Sequence, residues 1–344
     1  MYFRCSYNNT IRARGRSYSL NTSTDIPYND LITHFVFGAN TDVGKTVLTS
    51  ALVQASYEKQ AKSDHKTTSS IATHYIKPLQ CGGSDEAFIR RYAPGLSSSK
   101  TLFDWKTPVS PHLASRIENR PVSDDHVLFT LNDHLRKLKI SSASTAATKE
   151  ILSSSSPTSY CSSSIWIETA GGVLSPSSSS PNNYGSHHAK NSAGWGWSTQ
   201  ADLYIPFQNR SSVVLVGDGR LGGISTTISS LEALVNRNYT VGGILLIQDT
   251  ASTSSTTNDM NEEALKEYIY SYTSIDRQLE KNYGGLFDNP DNSIISLPKL
   301  PPEPEPLNEW FASNDVKLPI SNFVHNHLLL HRQKRGQEQN TNKK

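Results

Sequence analysis

The segment "GANTDVGKT", from Gly38 to Thr46, has residue types that suit the binding of a nucleoside triphosphate. It follows a strand-like run, "THFVFG", and precedes a helix-like run, "TVLTSALVQASYEKQ". In a P-loop the backbone N–H groups of such a turn surround phosphate oxygens, and the helix N-terminus adds positive potential. Lys45 would neutralise the β- and γ-phosphates, and the Thr46 hydroxyl would coordinate Mg²⁺. Five residues separate Gly38 from Gly44, one more than in the usual motif.

Two other strand-like runs end in charged residues. In "YIKPLQCGGSDEAF" Lys77 ends the apolar run and Asp85 follows it, and in "WIETAGGVLSP" Glu168 precedes two glycines. Taken alone, Lys77 could be a rim charge, Asp85 a helix cap and Glu168 a surface carboxylate. The carboxyl ends of parallel strands meet at one edge of a sheet, so these side chains are expected to converge on the P-loop. Glu168 would then provide a second Mg²⁺ contact, since Mg²⁺ prefers oxygen ligands.

The elements that must position these residues alternate between strand-like and helix-like patterns. Strands are predicted in "THFVFG", "ATHYIKPLQ", "SIWIETAGG", "SVVLVG", "YTVGGILLIQD" and "NSIISLPKL". A helix is predicted to begin at Ser123, because Val127, Leu128, Leu131, Leu135 and Leu138 follow at helical spacing. This alternation predicts an α/β, three-layer P-loop NTPase fold with a mostly parallel central sheet and helices on both faces.

Composition divides the 344 residues into a leader, one domain and a tail. Residues 1–28 are predicted to be a transit peptide or a disordered leader, since they contain several arginines and no acid before Asp25. Mitochondrial localisation is therefore expected, with a cytoplasmic protein as the alternative. Residues 29–310 are predicted to form a single domain with Ser-rich insertions near 60–72, 140–164 and 175–200, expected as partly disordered surface loops. Residues 311–344 are predicted to be a polar tail or linker.

The overall charge and the cysteines exclude several classes of function. The net charge is +2, and the short basic cluster "HRQKR", from His331 to Arg335, is expected to be a solvated tail, so nucleic acid is not an expected partner. Three scattered cysteines with no CxxC do not match the pattern of a disulfide framework or of a zinc site. No apolar run approaches about 18 residues, so no membrane span is expected.

In this order, the motifs "GANTDVGKT", "YIKPLQCG", "SD", "PVSPHLAS", "ETAGGVLSP" and "GDGRLGGISTT" resemble those of dethiobiotin synthetase, from about Leu31 to Glu309. The five-residue glycine spacing is this family's own form of the P-loop, and the resemblance is to its eukaryotic branch. It implies an ATP- and Mg²⁺-dependent cyclo-ligase that forms the ureido ring of dethiobiotin from 7,8-diaminopelargonate and CO₂. The implied intermediates are a carbamate and a carbamic–phosphoric anhydride, and the products include ADP and phosphate.

The resemblance also implies roles for individual residues. The catalytic positions are Lys45, Lys77 and Thr41. The nucleotide-binding positions are Asp42, Val43, Gly44, Lys45, Thr46, Val47 and Gln248. The substrate-binding positions are Thr41, Lys77, Cys81, Gly171, Gly172 and Val173, and the metal contacts are Thr46, Asp85 and Glu168. Two residues depart from the family pattern: Cys81 stands where Ser or Thr is usual, and Gln248 stands where bacterial relatives have the Asn that contacts adenine.

The resemblance further implies a homodimer with the active site at the interface, near "GRLGGIS", and a possible association with diaminopelargonate aminotransferase. Three alternatives remain. A cobyrinic acid a,c-diamide synthase type would need a glutaminase domain after Leu307, where the sequence has no Cys. A partition-type ATPase would carry a lysine at the position of Ala39. The last alternative is a non-catalytic, nucleotide-binding partner subunit of a biotin-pathway aminotransferase.

Overall fold

The computed structural model describes residues 31–58, 72–150, 163–177, 198–248, 255–275, 286, 290–302 and 306–328. Its centre is a seven-stranded sheet with the order β3-β2-β4-β1-β5-β6-β7, in which every neighbouring pair of strands is parallel. The strands are β1 Leu31–Gly38, β2 Thr73–Cys81, β3 Ser98–Trp105, β4 Ser163–Gly172, β5 Ser211–Val216, β6 Val241–Ile247 and β7 Ile294–Leu297.

Helices cover both faces of this sheet. Those before β7 that are labelled here are α1 Lys45–Glu58, α2 Asp85–Tyr92, α3 Pro111–Ile117, α4 Asp124–Glu150, α5 Gln200–Leu203, α6 Gly223–Val235 and α7 Ser255–Ile275. A 3₁₀ helix spans Ile205–Arg210, a single turn spans Pro290–Ser293, and three C-terminal segments span Asn308–Ala312, Asn314–Asn322 and Phe323–Leu328. One apolar cluster lies between the sheet and α4, α5, α6 and α7, and a second lies between the sheet, α1, α2 and the C-terminal segments. The predicted three-layer α/β fold is confirmed.

The position of β1 explains where a ligand can bind. Phe35, Val36 and Phe37 in β1 are fully buried, as expected for a strand covered on both faces. It pairs with β4 on one side and β5 on the other. The strand that follows β1 in the chain, β2, lies on the β4 side, whereas the strand that follows β4 is β5, on the opposite side of β1, so the order of the strands reverses direction here. A crevice forms at the carboxyl ends of the strands at such a switch point. The P-loop follows β1 directly and therefore lies at this crevice.

Two predictions about secondary structure meet different outcomes. The helix predicted to begin at Ser123 is confirmed, because α4 starts at Asp124 and the Ser123 Oγ accepts a hydrogen bond from the His126 N–H at 3.2 Å. The strand β3 has no counterpart among the predicted strands. It lies at the sheet edge and is only partly buried, so it lacks the continuous apolar run by which the other strands were identified.

The prediction of a polar tail from residue 311 is wrong for residues 311–328. The segments Asn314–Asn322 and Phe323–Leu328 bury five apolar side chains against α1 and the sheet: Val316, Ile320, Phe323, Val324 and Leu328. These residues recur about every four positions, which gives a helix one apolar face. The indole N–H of Trp310 also donates to the Pro298 carbonyl at 3.0 Å. Residues 329–344 lie outside the described part.

The predicted leader and most of the predicted insertions lie outside the described residues. The insertion expected near 140–164 overlaps α4, which continues to Glu150, and the start of β4 at Ser163. The two ends of the insertion expected near 175–200 meet in an antiparallel bridge between Pro176 and Thr199. The Ser177 N–H donates to the Ser198 carbonyl at 2.7 Å, so this segment leaves and rejoins the domain at one point. No helix in the described ranges is long and apolar enough to cross a bilayer.

Candidate active site

The P-loop has the backbone shape that its glycines require. Gly44 has a φ of 85°, and an added Cβ would lie 2.4 Å from Cδ1 of Ile247, so neither its conformation nor its surroundings accept a side chain. Asp42 also has a positive φ of 56°. The Thr41 N–H donates to Oδ1 of Asn40 at 2.8 Å. Thr41 and Asp42 are exposed at the crevice, whereas Val43 is buried below it.

Lys45 begins α1 and holds a buried ammonium group. Its side chain is only 8% exposed, and Nζ donates to the Asn40 carbonyl at 3.3 Å. Burial, together with the nearby positive charge of Lys77, lowers the pKa of Lys45 to about 8. An anion beside this group would relieve both effects, so the lysine is suited to contact phosphate. Val47 follows in the first turn of α1 and is half-buried.

Lys77 lies in the middle of β2, which continues to Cys81, and it contacts two of the predicted metal contacts. Its Nζ lies 2.6 Å from Oδ2 of Asp85 and 2.8 Å from Oε1 of Glu168, and it also donates to the Thr169 carbonyl at 3.3 Å. Burial alone would lower the pKa of Lys77, but the negative charges of Glu168 and Asp85 outweigh burial and raise it. Lys77 therefore carries a stable positive charge in this site.

Glu168 is fully buried in β4 and accepts three hydrogen bonds from side chains. Oε1 accepts from Thr46 Oγ1 and from Lys77 Nζ, each at 2.8 Å. Oε2 accepts from the phenol of Tyr75 at 3.1 Å. Burial, followed by the charge of Glu168, raises the pKa of Tyr75 well above its ordinary value, so the phenol remains a donor. Sequence reasoning missed Tyr75, because its role depends on a contact between two strands.

The predicted metal contacts form a donor set that suits Mg²⁺. Thr46 and Glu168 are in direct contact, and Asp85 joins them through Lys77. A hydroxyl and two carboxylates are the oxygen ligands that Mg²⁺ prefers, with water and phosphate oxygens completing its shell. Within the described ranges, no group of three or more His, Cys, Asp and Glu residues could hold a metal ion by itself. These residues therefore fit a magnesium ion that arrives with a nucleotide.

The loop after β4 is hydrogen-bonded to the end of β1. The Val173 N–H donates to the Gly38 carbonyl at 2.9 Å, and the Gly172 N–H donates to Oγ of Ser175 at 2.8 Å. Gly171 has a φ of 67°, and an added Cβ would lie 2.7 Å from Oγ of Ser175. The predicted substrate-binding residues Gly171, Gly172 and Val173 thus lie beside the P-loop. Ser175, which orders this turn, was not among the predicted site residues.

The two departures from the family pattern lie on opposite sides of the P-loop in the sheet order. Cys81 ends β2, and burial raises the pKa of its thiol to about 12, although the charge of Lys77 opposes this. Gln248 follows β6, and its N–H donates to the Leu297 carbonyl at 3.0 Å. Its neighbour Ile247 packs against Gly44, which connects this turn to the P-loop. The structure therefore brings Gln248 to the same rim as the lysines, but across the crevice from Glu168.

Comparisons with known proteins show which families this chain is similar to. The model of a family described as an AAA domain matches residues 33–184. A bifunctional dethiobiotin synthetase/adenosylmethionine-8-amino-7-oxononanoate aminotransferase from Emericella nidulans is 33% identical over 225 residues, which are 64% of this chain and 22% of the relative. A mitochondrial bifunctional dethiobiotin synthetase/7,8-diamino-pelargonic acid aminotransferase from Oryza sativa is 30% identical over 267 residues, 61% of this chain and 27% of the relative.

This chain thus spans about a quarter of the length of these two relatives. An ATP-dependent dethiobiotin synthetase from Neorickettsia sennetsu is 26% identical over 241 residues, which are 68% of this chain and 81% of that protein. The resemblance indicated by the motifs is confirmed: residues 33–184 match the model of an AAA domain, and the chain is similar in sequence to dethiobiotin synthetases, both to a stand-alone enzyme and to the synthetase part of eukaryotic bifunctional ones.

Proposed function

We propose that this chain is an ATP- and Mg²⁺-dependent cyclo-ligase that makes dethiobiotin from 7,8-diaminopelargonate and CO₂, with release of ADP and phosphate. The observation that carries the proposal is the convergence of Lys45, Lys77 and two carboxylates at one strand-end rim. Phosphoryl transfer needs charge neutralisation and alignment more than covalent help from the protein, and these residues can provide both. The sequence similarity to dethiobiotin synthetases supports the choice of substrates.

The reaction proceeds in three steps. One amine of the substrate attacks CO₂ and loses a proton, which forms a C–N bond and leaves a carbamate. A carbamate oxygen then attacks the γ-phosphorus of ATP; the bond to the β-phosphate oxygen breaks, and ADP leaves. The second amine attacks the carbamoyl carbon of the mixed anhydride, loses a proton and expels phosphate, which closes the five-membered urea.

Each predicted residue has a place in these steps. Lys45 and the N–H groups of Asp42, Val43, Gly44, Thr46 and Val47 would hold the phosphates. Lys77 would lie between the carbamate and the transferring phosphoryl group, with Thr41 and Cys81 beside the carbamate. The loop Gly171–Val173 would contact the diamine through its backbone, and Gln248 would contact adenine. When bound, Mg²⁺ would be held by Thr46, Asp85 and Glu168, and would neutralise charge that develops on the phosphate oxygens.

The assembly and location follow the same relatives. We propose a homodimer in which the segment Gly219–Ser225 lies near the interface and the active site is shared between subunits. Association with a diaminopelargonate aminotransferase is proposed because two of the relatives combine both activities in one chain. Mitochondrial localisation is proposed from the Arg-rich leader and from the name of the rice relative.

The test is incubation of the purified chain with diaminopelargonate, bicarbonate and MgATP, followed by mass spectrometry. Dethiobiotin and an equal amount of ADP are expected, and omission of any one component should abolish both. With ¹³C-bicarbonate the product should be one mass unit heavier, because its ureido carbon comes from CO₂. Nucleotide binding without product under these conditions would refute the proposal and favour the alternative of a non-catalytic partner subunit.

A further inference from the structure

We infer that Tyr75 is a positioning residue that fixes the Glu168 carboxylate for metal–nucleotide binding. The inference rests on the proposed function, because it takes Glu168 to be a magnesium contact. Tyr75 lies in β2 and pairs with Trp166 of β4, two residues before Glu168. Residues two apart in a strand share a face, so Tyr75, Trp166 and Glu168 all point towards α1.

The two oxygens of Glu168 have separate partners. Oε1 faces Thr46 and Lys77, the groups that border the phosphate crevice, and each contact is 2.8 Å long. Oε2 faces the phenol of Tyr75 at 3.1 Å. Rotation of the carboxylate about its terminal bond would break the Tyr75 contact and turn Oε1 away from Thr46. The phenol therefore helps to fix the plane of the carboxylate, so that one oxygen stays directed at the crevice.

Packing alone does not account for a tyrosine at this position. The ring of Tyr75 belongs to an apolar cluster beneath α1, and a phenylalanine would fill the same space. A buried hydroxyl is costly unless it has a hydrogen-bond partner, so the phenol is explained by the carboxylate that it contacts. Partners behind a metal-binding carboxylate orient it, and their loss typically costs tenfold or more in metal affinity.

The test compares Tyr75→Phe with Tyr92→Phe in the full chain. Tyr92 lies on α2 in the same apolar cluster, is 8% exposed, and packs its ring against Phe88 and Phe311. The readout is the melting temperature in saturating ADP during a titration with MgCl₂, which requires no turnover. Tyr75→Phe is expected to raise the Mg²⁺ midpoint about tenfold, without weakening the binding of ADP in EDTA. Tyr92→Phe should leave the midpoint unchanged.

A second comparison tests whether the phenol acts through the Glu168 carboxylate. Glu168→Gln removes the charge that the phenol contacts, so Tyr75→Phe should cause no further rise of the midpoint when it is added to Glu168→Gln. An unchanged midpoint in Tyr75→Phe would overturn the inference, as would a further rise in the double variant. A wild-type chain whose stabilisation by ADP does not depend on Mg²⁺ would overturn it too. A chain that binds MgADP but makes no dethiobiotin would refute the proposed function alone.

Discussion

The ammonium of Lys77 lies 2.6 Å from Oδ2 of Asp85, and it simultaneously contacts Glu168 on its other side. Asp85 is the first residue of α2 and its side chain is 26% exposed, whereas Glu168 is inaccessible to solvent. Lys77 therefore bridges a solvent-accessible carboxylate, Asp85, and a buried one, Glu168. Removal of one partner from such a buried set leaves an uncompensated charge, so the three side chains act as a unit.

Replacement of Lys45 tests whether its buried ammonium acts on phosphate. Lys45→Ala is expected to lower the rate of dethiobiotin formation at least about a hundredfold, because a charge that stabilises the transferring phosphoryl group is lost. The melting temperature without nucleotide should not fall. The control is Lys137→Ala, which removes a lysine that is 70% exposed on α4. Full turnover by Lys45→Ala would exclude this lysine from the reaction.

The lowered pKa of Lys45 predicts how the stability of the nucleotide-free chain depends on pH. The folded value is about 8 and the ordinary value is 10.5, so burial penalises the charged form. That penalty is full below about pH 8 and disappears as the pH rises towards 10.5, because the folded chain gives up the proton first. Lys45→Met should therefore stabilise the chain at pH 7 by up to roughly 3 kcal/mol.

The measurement for Lys45→Met is urea unfolding of both proteins at several pH values. The gain over wild type should shrink between about pH 8 and 10.5. A gain that stays constant across that window would mean that the ammonium carries no burial penalty.

The environment of Gly44 predicts that Gly44→Ala loses more stability than its backbone conformation alone explains. Gly44 and Gly222 have φ values of 85° and 84°, but only at Gly44 would an added Cβ meet another atom, Cδ1 of Ile247. Gly222→Ala should cost about 1–2 kcal/mol for the left-handed conformation alone. Gly44→Ala should lower the free energy of unfolding by more than Gly222→Ala does, and it should also weaken ATP binding.

Ile247→Val removes the clashing Cδ1 and should recover part of the stability of Gly44→Ala. Urea midpoints of the three single variants and of the Gly44→Ala/Ile247→Val pair provide the comparison. Equal losses for Gly44→Ala and Gly222→Ala would show that contact with Ile247 is unimportant.

The buried His74 predicts a loss of stability in acid. Burial, assisted by the charge of His134, lowers the pKa of His74 to about 4 from an ordinary 6.5, and its Nδ1 lies 2.7 Å from Oγ of Ser98. The unfolded chain binds this proton first, so the stability contributed by His74 is full above about pH 6.5 and is lost as the pH falls towards 4. His74→Asn keeps a group that can bond Ser98 but does not titrate.

The free energy of unfolding of His74→Asn should therefore fall less than that of wild type between about pH 6.5 and 4, by up to roughly 3 kcal/mol. His126→Asn, on the exposed side of α4, serves as the control and should follow the wild-type curve. Parallel curves for wild type and His74→Asn would show that His74 does not contribute to acid unfolding.

The thiol of Cys81 leads us to predict that Cys81→Ser binds the substrate more tightly than wild type. Its thiol pKa of about 12 keeps it protonated near neutral pH, and a thiol is a weaker hydrogen-bond donor than a hydroxyl. Cys81→Ser should lower the KM for diaminopelargonate about threefold if the side chain contacts the carbamate. Cys81→Ala should raise it. Identical KM values in all three proteins would remove Cys81 from the substrate site.

The patterns that sequence reasoning could interpret were those with a strong local signal. Strands buried on both faces, such as β1 and β4, appear as unbroken apolar runs, and the glycines that end them marked the site. The lysines and carboxylates could be placed together because parallel strands bring their carboxyl ends to one edge. Nothing in the sequence alone indicated that Lys77 would bridge Asp85 and Glu168.

The parts that were missed depend on tertiary contacts. The edge strand β3 alternates weakly and is held by pairing with β2. The C-terminal helix Asn314–Asn322 contains Pro319 and several polar residues, so its apolar face is visible only when Val316 and Ile320 are considered together with Phe323 and Val324. Tyr75 was missed for the same reason, because the hydrogen-bond partner of its hydroxyl, Glu168, is 93 residues away in the chain.

The path of the C-terminal segment determines where attached sequences can be placed. The ring Nε2–H of His325 donates to the Ala55 carbonyl near the end of α1, and Leu328 packs at Gly242, near the beginning of β6. Both contacts lie at the amino-terminal edge of the sheet, about 20 Å from the phosphate crevice across a seven-residue strand. A fluorescent label or fusion partner joined directly after Leu328 would therefore start at the edge of the sheet opposite the P-loop, where it leaves the crevice open.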